Sequence, residues 1–503
     1  MKKNIIANFI GKIWGLFSNF IFIPVYIKLL GFSSYSVISY TLVIAGVLTI
    51  LDSGLTATLS REFSRQDHNL EKKKSIYETL QITYIGIVLS CTFLIILFSG
   101  LMVNGLKAEG YQSTEISFFL KLASVDLSFQ LLFRFFLGGL IGLNKQVEAN
   151  IIQVLWGICR NALVILLIYY LPSLNIYFIW QAIMTIVFTF IIKFFLDSKV
   201  YERKTFNINL KFDVQSFNSV KGFAGGMLLI SIISALSSQG DKIVISKMLS
   251  LENLGHYTLA VSLSSVLIIV ISPISTAILP QITEYYSLNR LENIKRIFNQ
   301  YNMLISVIVF SILANVIYFD RNLIEIWTKN PQLANSSYLY VPYVSGAYAF
   351  IVLQTMFYQI ALANGYTKLN NIIGILNAII IIPTYYFACK LWGAIGLSIV
   401  FMIIQMFNFF IYSFIMNKKF IGENFVKNIV GIQFVFPAVI AFIISYFFHH
   451  IMTIIQFNQF TLVLWIGFSA VTSFTVSYIL LANREEKLKV KNIVLKYFRK
   501  HEK

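Results

Sequence analysis

The stretch Ile82–Val103, ITYIGIVLSCTFLIILFSGLMV, runs for 22 residues without a charged side chain. The hydrocarbon core of a bilayer is about 30 Å thick, and a helix needs roughly 20 apolar residues to cross it. In lipid every backbone N–H and C=O must be hydrogen-bonded within the protein, so a spanning segment of this kind is a helix. This stretch therefore predicts a transmembrane helix.

Similar apolar stretches follow one another along the whole chain. The hydrophobic fraction is 57% and the charged fraction 12%, with a mean hydropathy of +0.74. These values exclude a soluble domain and a disordered chain. We predict an all-α polytopic membrane protein of about 14 transmembrane helices. The predicted spans begin near Ile5, Tyr35, Ile76, Ile116, Val147, Asn175, Phe217, Gly255, Tyr301, Tyr338, Asn371, Leu391, Ile429 and Phe460.

The basic residues are distributed unequally between the gaps that separate these spans. The chain has 40 Lys and Arg against 22 Asp and Glu, and 27 of the 40 lie in the even-numbered gaps or at the two termini. By the positive-inside rule this set is cytoplasmic, so both termini face the cytoplasm, as an even number of spans requires. Topology thus explains the positive charge, and no nucleic-acid partner is predicted. The opposite gaps hold Lys28, Lys107, Lys247, Arg321, Lys329 and Lys390.

The two halves of the chain resemble each other at an offset of about 220 residues. Asn150–Ile152 with Leu155 parallels Asn371–Ile373 with Leu376, although short apolar strings can also match by chance. With six spans each, two such lobes would be related by a pseudo-two-fold axis along the membrane normal. We predict an N-terminal lobe over 1–216 (helices 1–6), a C-terminal lobe over 217–420 (helices 7–12), two extra helices over 421–482 and a basic cytoplasmic tail over 483–503. The tail has the pattern of an amphipathic helix on the anionic inner leaflet.

Few residues suggest enzymatic or metal chemistry. Each of the three cysteines lies alone in a predicted span, and the five histidines lie at span boundaries or in loops. No Walker sequence, G-x-S-x-G or Asp-x-Asp pattern is present. The longest polar stretch, about Asp197–Ser216, is too short for a soluble catalytic domain. We predict a transporter without a metal or another cofactor, and not an enzyme.

Several predicted spans carry charged residues, which are costly in lipid and usually face a cavity or one another. In the first span Asn4, Asn8, Lys12, Gly15 and Asn19 share one helical face. Asp52 lies deep in the second span and Arg160-Asn161 near the middle of the fifth. The fourth has Asp126, Gln130 and Arg134 at i, i+4 and i+8, with Lys121 nearer its outer end. The seventh has Asp241-Lys242.

The deep cations Lys12, Lys121, Arg134 and Arg160 outnumber the deep acids Asp52 and Asp126. Lys12 and Arg160 have no acid three or four residues away on their own helix. A cavity with net positive charge would attract an anion. Other interpretations stay open, because Asp126 with Arg134 can be a structural relay between helices and Asp241 with Lys242 can simply pair. Lys193 and Lys221 are expected to extend to the interface.

The string Leu51–Glu62 (LDSGLTATLSRE) resembles the second-span signature of bacterial O-antigen flippases of the Wzx type. These flippases belong to the multidrug/oligosaccharidyl-lipid/polysaccharide exporter superfamily. Pro24–Gly31 resembles the end of that family's first span, and Gly142–Gln146 its loop after the fourth. Phe223-Ala224, Asp241-Lys242 and Gly255–Ala260 resemble the start of its second half.

The resemblance implies transport of an undecaprenyl-diphosphate-linked oligosaccharide across the bacterial inner membrane, in O-antigen and lipopolysaccharide biosynthesis. The head group would cross by alternating access through a cationic central cavity, while the lipid tail stays in the bilayer. Proton or sodium coupling, contacts with membrane lipids and with other polysaccharide-assembly proteins of the membrane are further expectations. The candidate substrate-binding residues are Lys12, Arg134, Arg160, Lys121, Asn8, Asn161 and Lys242. The candidate ion-coupling residues are Asp52, Asp126 and Asp241.

Two other functions remain to be distinguished from a flippase. A small-molecule or drug antiporter of the same superfamily more often has twelve spans and acids in its site, to meet cationic drugs. A polytopic glycosyltransferase or O-antigen polymerase would need a catalytic acid cluster and a large outer loop, neither of which is evident.

Overall fold

The computed structural model describes residues 18, 20–65, 69–104, 106, 108–202, 211–366 and 368–481. Most of the predicted first span, including Asn8 and Lys12, and the predicted basic tail lie outside these residues.

The described chain is built from helices and their connections. The first half contains α1 (Phe20–Leu30), α2 (Phe32–Ser64), α3 (Leu70–Val103), α4 (Ser113–Gly142), α5 (Gln146–Asn161), α6 (Leu163–Tyr170), α7 (Leu174–Val200) and α8 (Val214–Met248). The second half contains α9 (Leu251–Ser264), α10 (Val266–Ser287), α11 (Leu291–Tyr318), α12 (Asp320–Thr328), α13 (Pro331–Ser337), a 3-10 turn (Tyr338–Tyr340), α14 (Val341–Leu353), α15 (Thr355–Ala363), α16 (Lys368–Met416), π-helical segments (Asn417–Ile421 and Phe425–Val435), α17 (Phe436–Ile454) and α18 (Gln459–Leu481).

Eleven helices within the described residues are long and apolar enough to cross a membrane, and two shorter apolar helices precede them. The prediction of an all-α polytopic membrane protein is confirmed. One of the eleven includes α16, in which Gly393 has φ 63° and ψ −155°. This left-handed φ favours glycine and interrupts α16 near the predicted boundary between the spans that start at Asn371 and Leu391. The count of fourteen stays a prediction.

Polar side chains cap the helices at their N-termini. Asn69 accepts from the backbone N–H of Lys72 at 2.9 Å at the start of α3. Asp213 caps α8 by accepting from the N–H groups of Gln215 and Ser216. Hydrogen bonds from Ser216 and Ser75 hold the pKa of the Asp213 carboxyl below its usual range. These bonds satisfy N–H groups that have no partner within the helix.

The chain divides into two compact units, unit 1 (Met1–Leu259 with Asn370–Leu397) and unit 2 (Ala260–Leu369 with Ser398–Lys503). Within unit 1, α8 packs along α2. The whole of α8 therefore shares a unit with α2, although the repeat predicts a boundary at 216/217. The units therefore have other bounds than the predicted lobes, and the assignment of lobes to 1–216, 217–420 and 421–482 stays a prediction.

Two glycines bring α4 against α2 in unit 1. A Cβ at Gly138 would lie 2.5 Å from Cγ2 of Thr56, and one at Gly142 would lie 2.5 Å from the backbone oxygen of Ser60. The glycines are four residues apart, which is the spacing that lets transmembrane helices approach closely. This packing places Arg134, one turn before Gly138 on α4, near Asp52 on α2.

In unit 2, α11 packs against α17 and α18, which were predicted as the extra helix pair. Asn302 on α11 donates to Gln433 in the π-helical segment before α17 at 2.6 Å, and Asn315 on α11 donates to the hydroxyl of Ser445 on α17 at 3.1 Å. Interhelical hydrogen bonds of this kind contribute about 0.6 kcal/mol each in membrane proteins. The two bonds help to fix the register of α17 and the segment before it on α11.

Candidate functional site

One face of α4 carries the charged groups of the candidate site. Asp126, Gln130 and Arg134 follow at intervals of four residues, so their side chains lie on the same face of the helix. Glu115 accepts from the N–H of Gln112 at 2.9 Å where α4 begins. The glycine contacts with α2 hold the other end. The helix is therefore anchored on both sides of its charged face.

Asp126, Gln130, Arg160 and Thr185 form the first group, here called the Asp126 cluster. The Nη2 of Arg160 lies 2.7 Å from Oδ2 of Asp126, and Gln130 donates to the same oxygen at 2.8 Å. Thr185 on α7 donates to Oδ1 at 2.6 Å. The carboxylate is thus held by three donors from three helices, which satisfies a buried charge.

Arg160 occupies the last turn of α5, just before the chain breaks and α6 begins. Its side chain is only 17% exposed, and its guanidinium carbon lies 5.2 Å from the ring centre of Trp156. Gln181 on α7 donates to the backbone oxygen of Arg160 at 3.1 Å. The Nε of Arg160 is buried and has no hydrogen-bond partner in the described structure. Arg160 is therefore held by Asp126 and largely shielded from solvent, which limits its access to a ligand.

Asp52, Thr56, Tyr84 and Arg134 form the second group, here called the Asp52 cluster. Thr56 and the hydroxyl of Tyr84, at 3.1 Å, both donate to Oδ1 of Asp52. Arg134 Nη1 approaches Oδ2 only to 3.9 Å. A charge-assisted hydrogen bond is about 1 Å shorter than this distance. The ion pair is therefore loose.

Arg134 differs from Arg160 in its exposure, because 38% of its side chain is accessible. A guanidinium has five N–H donors and no acceptor. The loose contact with Asp52 is the only ion pair that Arg134 makes among the described residues. Arg134 lies within a candidate membrane span, where an exposed guanidinium facing lipid would be costly. Its free donors thus suit an anion in a water-accessible path.

The third charged group belongs to α8 and α9 within unit 1. Tyr257 donates to Oδ2 of Asp241 at 2.6 Å, and Lys242 Nζ lies 3.5 Å from Oδ1. Lys242 also donates to the backbone oxygen of Ser238 at 3.0 Å. The adjacent Asp241 and Lys242 form the pair that the sequence offered as one interpretation. Both side chains are nearly buried.

Each of the two deep arginines that the structure describes has an acid partner on another helix. Among the described residues Arg134 pairs with Asp52 and Arg160 with Asp126. Lys121 is exposed on α4 and takes no part in either cluster. The two clusters therefore have one positive and one negative group each, and the positive cavity predicted from the count is not formed by these residues alone. Lys12 and Asn8 lie outside the described residues.

Among the described residues, Asp126 and Arg134 do not pair with each other. Each acid instead pairs across helices, and Asp126 receives Arg160 from a position 34 residues away. Intervals in sequence identify partners on the same helix only, so the absence of an acid near Arg160 on α5 was misleading. Asn161 is only half-buried, and its backbone oxygen accepts from the hydroxyl of Tyr26 at 2.9 Å.

Sequence reasoning missed the residues that hold the acids in place. Gln181, Thr185 and Thr189 are buried at intervals of four on α7, and this polar face was a usable signal. Tyr84 gave no such signal. Lys193 was expected to extend to the interface, but it pairs with the buried Asp197 on its own helix. No group of three or more His, Cys, Asp or Glu among the described residues is arranged to hold a metal.

Comparison with known proteins identifies the family of this chain. The model of a family described as polysaccharide biosynthesis protein matches residues 1–286, more than half of the chain. The chain belongs to this family. A second family model, MatE, matches residues 227–387. The resemblance to the multidrug/oligosaccharidyl-lipid/polysaccharide exporter superfamily is confirmed, and the chain is a membrane transporter of that superfamily.

Individual relatives agree with this assignment. The chain is 22% identical over 399 residues to a Shigella flexneri protein described as "Putative O-antigen transporter", covering 77% of this chain and 92% of the relative. The lipid II flippase MurJ in an inward closed conformation has a similar fold, with a TM-score of 0.73 at 13% identity over 95% of this chain and 99% of MurJ. An inward-facing multidrug resistance MATE transporter has a TM-score of 0.62 at 12% identity, over 81% of this chain and 95% of the transporter.

Proposed function

We propose that this protein is a flippase for undecaprenyl-diphosphate-linked O-antigen repeat units, which it moves from the cytoplasmic to the periplasmic leaflet of the bacterial inner membrane. Membership of the polysaccharide biosynthesis family and the described role of the Shigella flexneri relative support this substrate class. The distribution of basic residues supports cytoplasmic termini.

The exposed guanidinium of Arg134 is the observation that carries the proposal. Its side chain is 38% exposed within a candidate span, and its acid partner is 3.9 Å away. A diphosphate offers oxygens that a guanidinium binds through two parallel N–H···O bonds. Asp52 keeps its bonds from Thr56 and Tyr84 when Arg134 turns away, because both go to Oδ1. The head group can thus bind Arg134 while Asp52 keeps two hydrogen-bond donors.

The Asp52 cluster and the Asp126 cluster have different roles in the proposed transport. Arg134 contacts the diphosphate directly, whereas Arg160 holds α4, α5 and α7 together through Asp126 and Gln181. Tight fixation of α4 keeps Arg134 at a constant height in the membrane. Arg134 is therefore the first substrate contact among the predicted cations, and Arg160 acts mainly as a positioning residue. Alternating access then carries the head group while the lipid tail stays in the bilayer.

Asp52 is the candidate that suits ion coupling best. Both oxygens of Asp126 already accept hydrogen bonds, and so do both oxygens of Asp241. Among the described residues, Oδ2 of Asp52 has only the distant Arg134 as a partner. When the diphosphate takes Arg134, the carboxylate loses its counter-charge, which favours uptake of a proton. Asp52→Asn should then remove stimulation of transport by a proton gradient, while transport without a gradient persists.

Reconstitution tests the proposed function. Proteoliposomes that contain the purified protein and a polyprenyl-diphosphate-linked oligosaccharide are treated from outside with a glycan-cleaving enzyme. We expect the protected fraction to fall with time, and to stay constant in protein-free liposomes. A parallel arm measures uptake of a cationic drug. Drug uptake with no oligosaccharide movement would contradict the proposal and favour the antiporter. A covalently lengthened saccharide would favour the polymerase.

A further inference from the structure

A second polar cleft lies in unit 2, remote in sequence from the charged face of α4. It has a volume of about 680 Å³, within the range of roughly 300–1,000 Å³ for small-ligand pockets. The turn after α11 and the helices α12 and α13 form one wall, and the end of α17 forms the other. The side chains that line it include Tyr318, Asp320, Arg321, Glu325, Asn335 and Tyr338.

The cleft rests on a fixed apolar floor. Phe319 is fully buried and packs in a cluster with Phe448, Leu462 and Ile466 from α17 and α18. Asn330 caps α13 by accepting from two backbone N–H groups, at 2.9 and 3.1 Å. Burial and capping hold the short helices α12 and α13 in place without a ligand. The wall is therefore preorganised, which lowers the entropic cost of binding.

Among the described residues, the side chains of Arg321, Glu325 and Asn335 make no hydrogen bond or ion pair. Asp320 accepts from the backbone N–H of Arg321 at 2.5 Å. Arg321 and Glu325 are four residues apart on α12, yet they form no ion pair with each other in the described structure, and the order Arg before Glu is the weaker one for such a pair. Asn335 is exposed on α13. Burial raises the pKa of Asp320 to about 6, against a smaller opposing effect of the backbone N–H of Arg321. The wall therefore offers acceptors at Asp320 and Glu325 and a donor at Arg321.

The chemistry of the lining selects among ligand classes. The two carboxyl groups of the lining lie beside one guanidinium and the imidazole of His449, so the cleft has no excess of cations that would favour a phosphate or another anion. The described residues hold no group of three acids or histidines for a metal ion. A ligand with many hydroxyl groups can use carboxylate, carboxamide and guanidinium partners together. The rings of Tyr318 and Tyr338 add apolar surface with a polar edge, which suits the two faces of a sugar ring.

We propose that this cleft binds a neutral or N-acetylated saccharide on the side of the membrane predicted to be periplasmic. The side follows from the gap between α11 and α14, which holds Arg321 and Lys329 among the sparse basic residues. The inference deepens the proposed function, because such a site would receive the saccharide after the head group has crossed. It is separate from Arg134 in sequence and in chemistry, since it needs no diphosphate.

Saturation-transfer NMR on the full-length protein in nanodiscs tests the proposal. The probes are maltotriose, tri-N-acetylchitotriose and an acidic sialyl trisaccharide. We expect transfer to one or both of the first two and a weaker signal for the acidic one. Glu325→Gln, Asn335→Ala and Tyr338→Ala should each weaken binding by about 3- to 10-fold, as expected for one lost hydrogen bond or ring contact.

Tyr170→Ala is the matched control, because Tyr170 is a 78% exposed tyrosine at the end of α6 in unit 1. It should leave the signals unchanged. No signal with any probe, or equal signals in the wild type and all three cleft variants, would overturn the proposal. Preference for the acidic probe would also overturn it. In a second arm, nanodiscs carry a lipid-linked oligosaccharide. Loss of the free-probe signal then supports a membrane-borne occupant, and an unchanged signal supports free glycan.

The outcomes separate this site from the proposed function. Oligosaccharide movement in proteoliposomes without probe binding would support the flippase function and refute saccharide binding in the cleft. Probe binding that depends on Glu325 and Tyr338, with no oligosaccharide movement, would support saccharide binding in the cleft and refute the flippase function.

Discussion

The ion pair between Arg160 and Asp126 gives the sharpest test of how α4 is held. The two side chains are 17% and 6% exposed, and Nη2 lies 2.7 Å from Oδ2. Removing one partner of a buried pair costs roughly 3–5 kcal/mol. Thr185 and Gln130 still donate to Asp126 when Arg160 is replaced. We therefore expect Arg160→Gln to lower the free energy of unfolding by about 3 kcal/mol, the lower end of that range.

A double-mutant cycle measures the pair itself. Asp126→Asn combined with Arg160→Gln removes both charges, so no charge is left without its partner. The double variant should be about 1–3 kcal/mol more stable than the sum of the single effects predicts. Unfolding free energies come from titration with a denaturing detergent in mixed micelles, with helix content followed by circular dichroism.

The matched control is the cycle of Asp126→Asn with Arg134→Gln. These residues are eight apart on one helix, about 12 Å along its axis, and Arg134 pairs with Asp52 instead. Their effects should add within about 0.5 kcal/mol. Additivity for Arg160 together with coupling for Arg134 would refute the pairing described above and restore the same-helix interpretation.

Three further outcomes are expected. Gly142→Leu should lower thermal stability strongly, because its side chain would meet the α2 backbone, whereas Gly86→Leu, which meets nothing within 4 Å, should have little effect. Burial raises the folded-state pKa of Asp320 to about 6, so protonation of this carboxyl favours the folded state. This contribution to stability is lost as the pH rises through 6. The change in melting temperature between pH 5 and 7.5 should therefore be smaller in Asp320→Asn than in the wild type, and an equal change would contradict this. A topology reporter fused after Lys107 should be external and one fused after Lys204 internal, and the reverse would contradict the assigned orientation.

The apolar pattern of the sequence predicts the helices well, because length and hydropathy alone decide whether a segment can lie in a bilayer. The face of Asp126, Gln130 and Arg134 follows from intervals of four residues. A glycine with a left-handed φ separates two predicted spans at Gly393. These features are local, and local sequence contains the information that fixes them.

Contacts between helices could not be predicted in the same way. Thr185 reaches Asp126 across 59 residues and Tyr84 reaches Asp52 across 32, so their pairing depends on how helices pack. The loose geometry of Arg134 and the tight one of Arg160 were indistinguishable in sequence, since both are single arginines in apolar spans. The short helices α12 and α13 were missed because each is shorter than a span and lies within one predicted gap.

Transport by Arg134 variants tests the central claim most directly. The initial rate of oligosaccharide movement is measured in proteoliposomes for the wild type, Arg134→Ala, Arg134→Lys and the control Arg290→Ala, an exposed arginine between α10 and α11. Two charge-assisted hydrogen bonds are worth about 3 kcal/mol or more, so Arg134→Ala should be at least roughly 100-fold slower. Arg134→Lys should recover part of the rate, and Arg290→Ala should match the wild type. A wild-type rate for Arg134→Ala at normal protein levels would contradict the account.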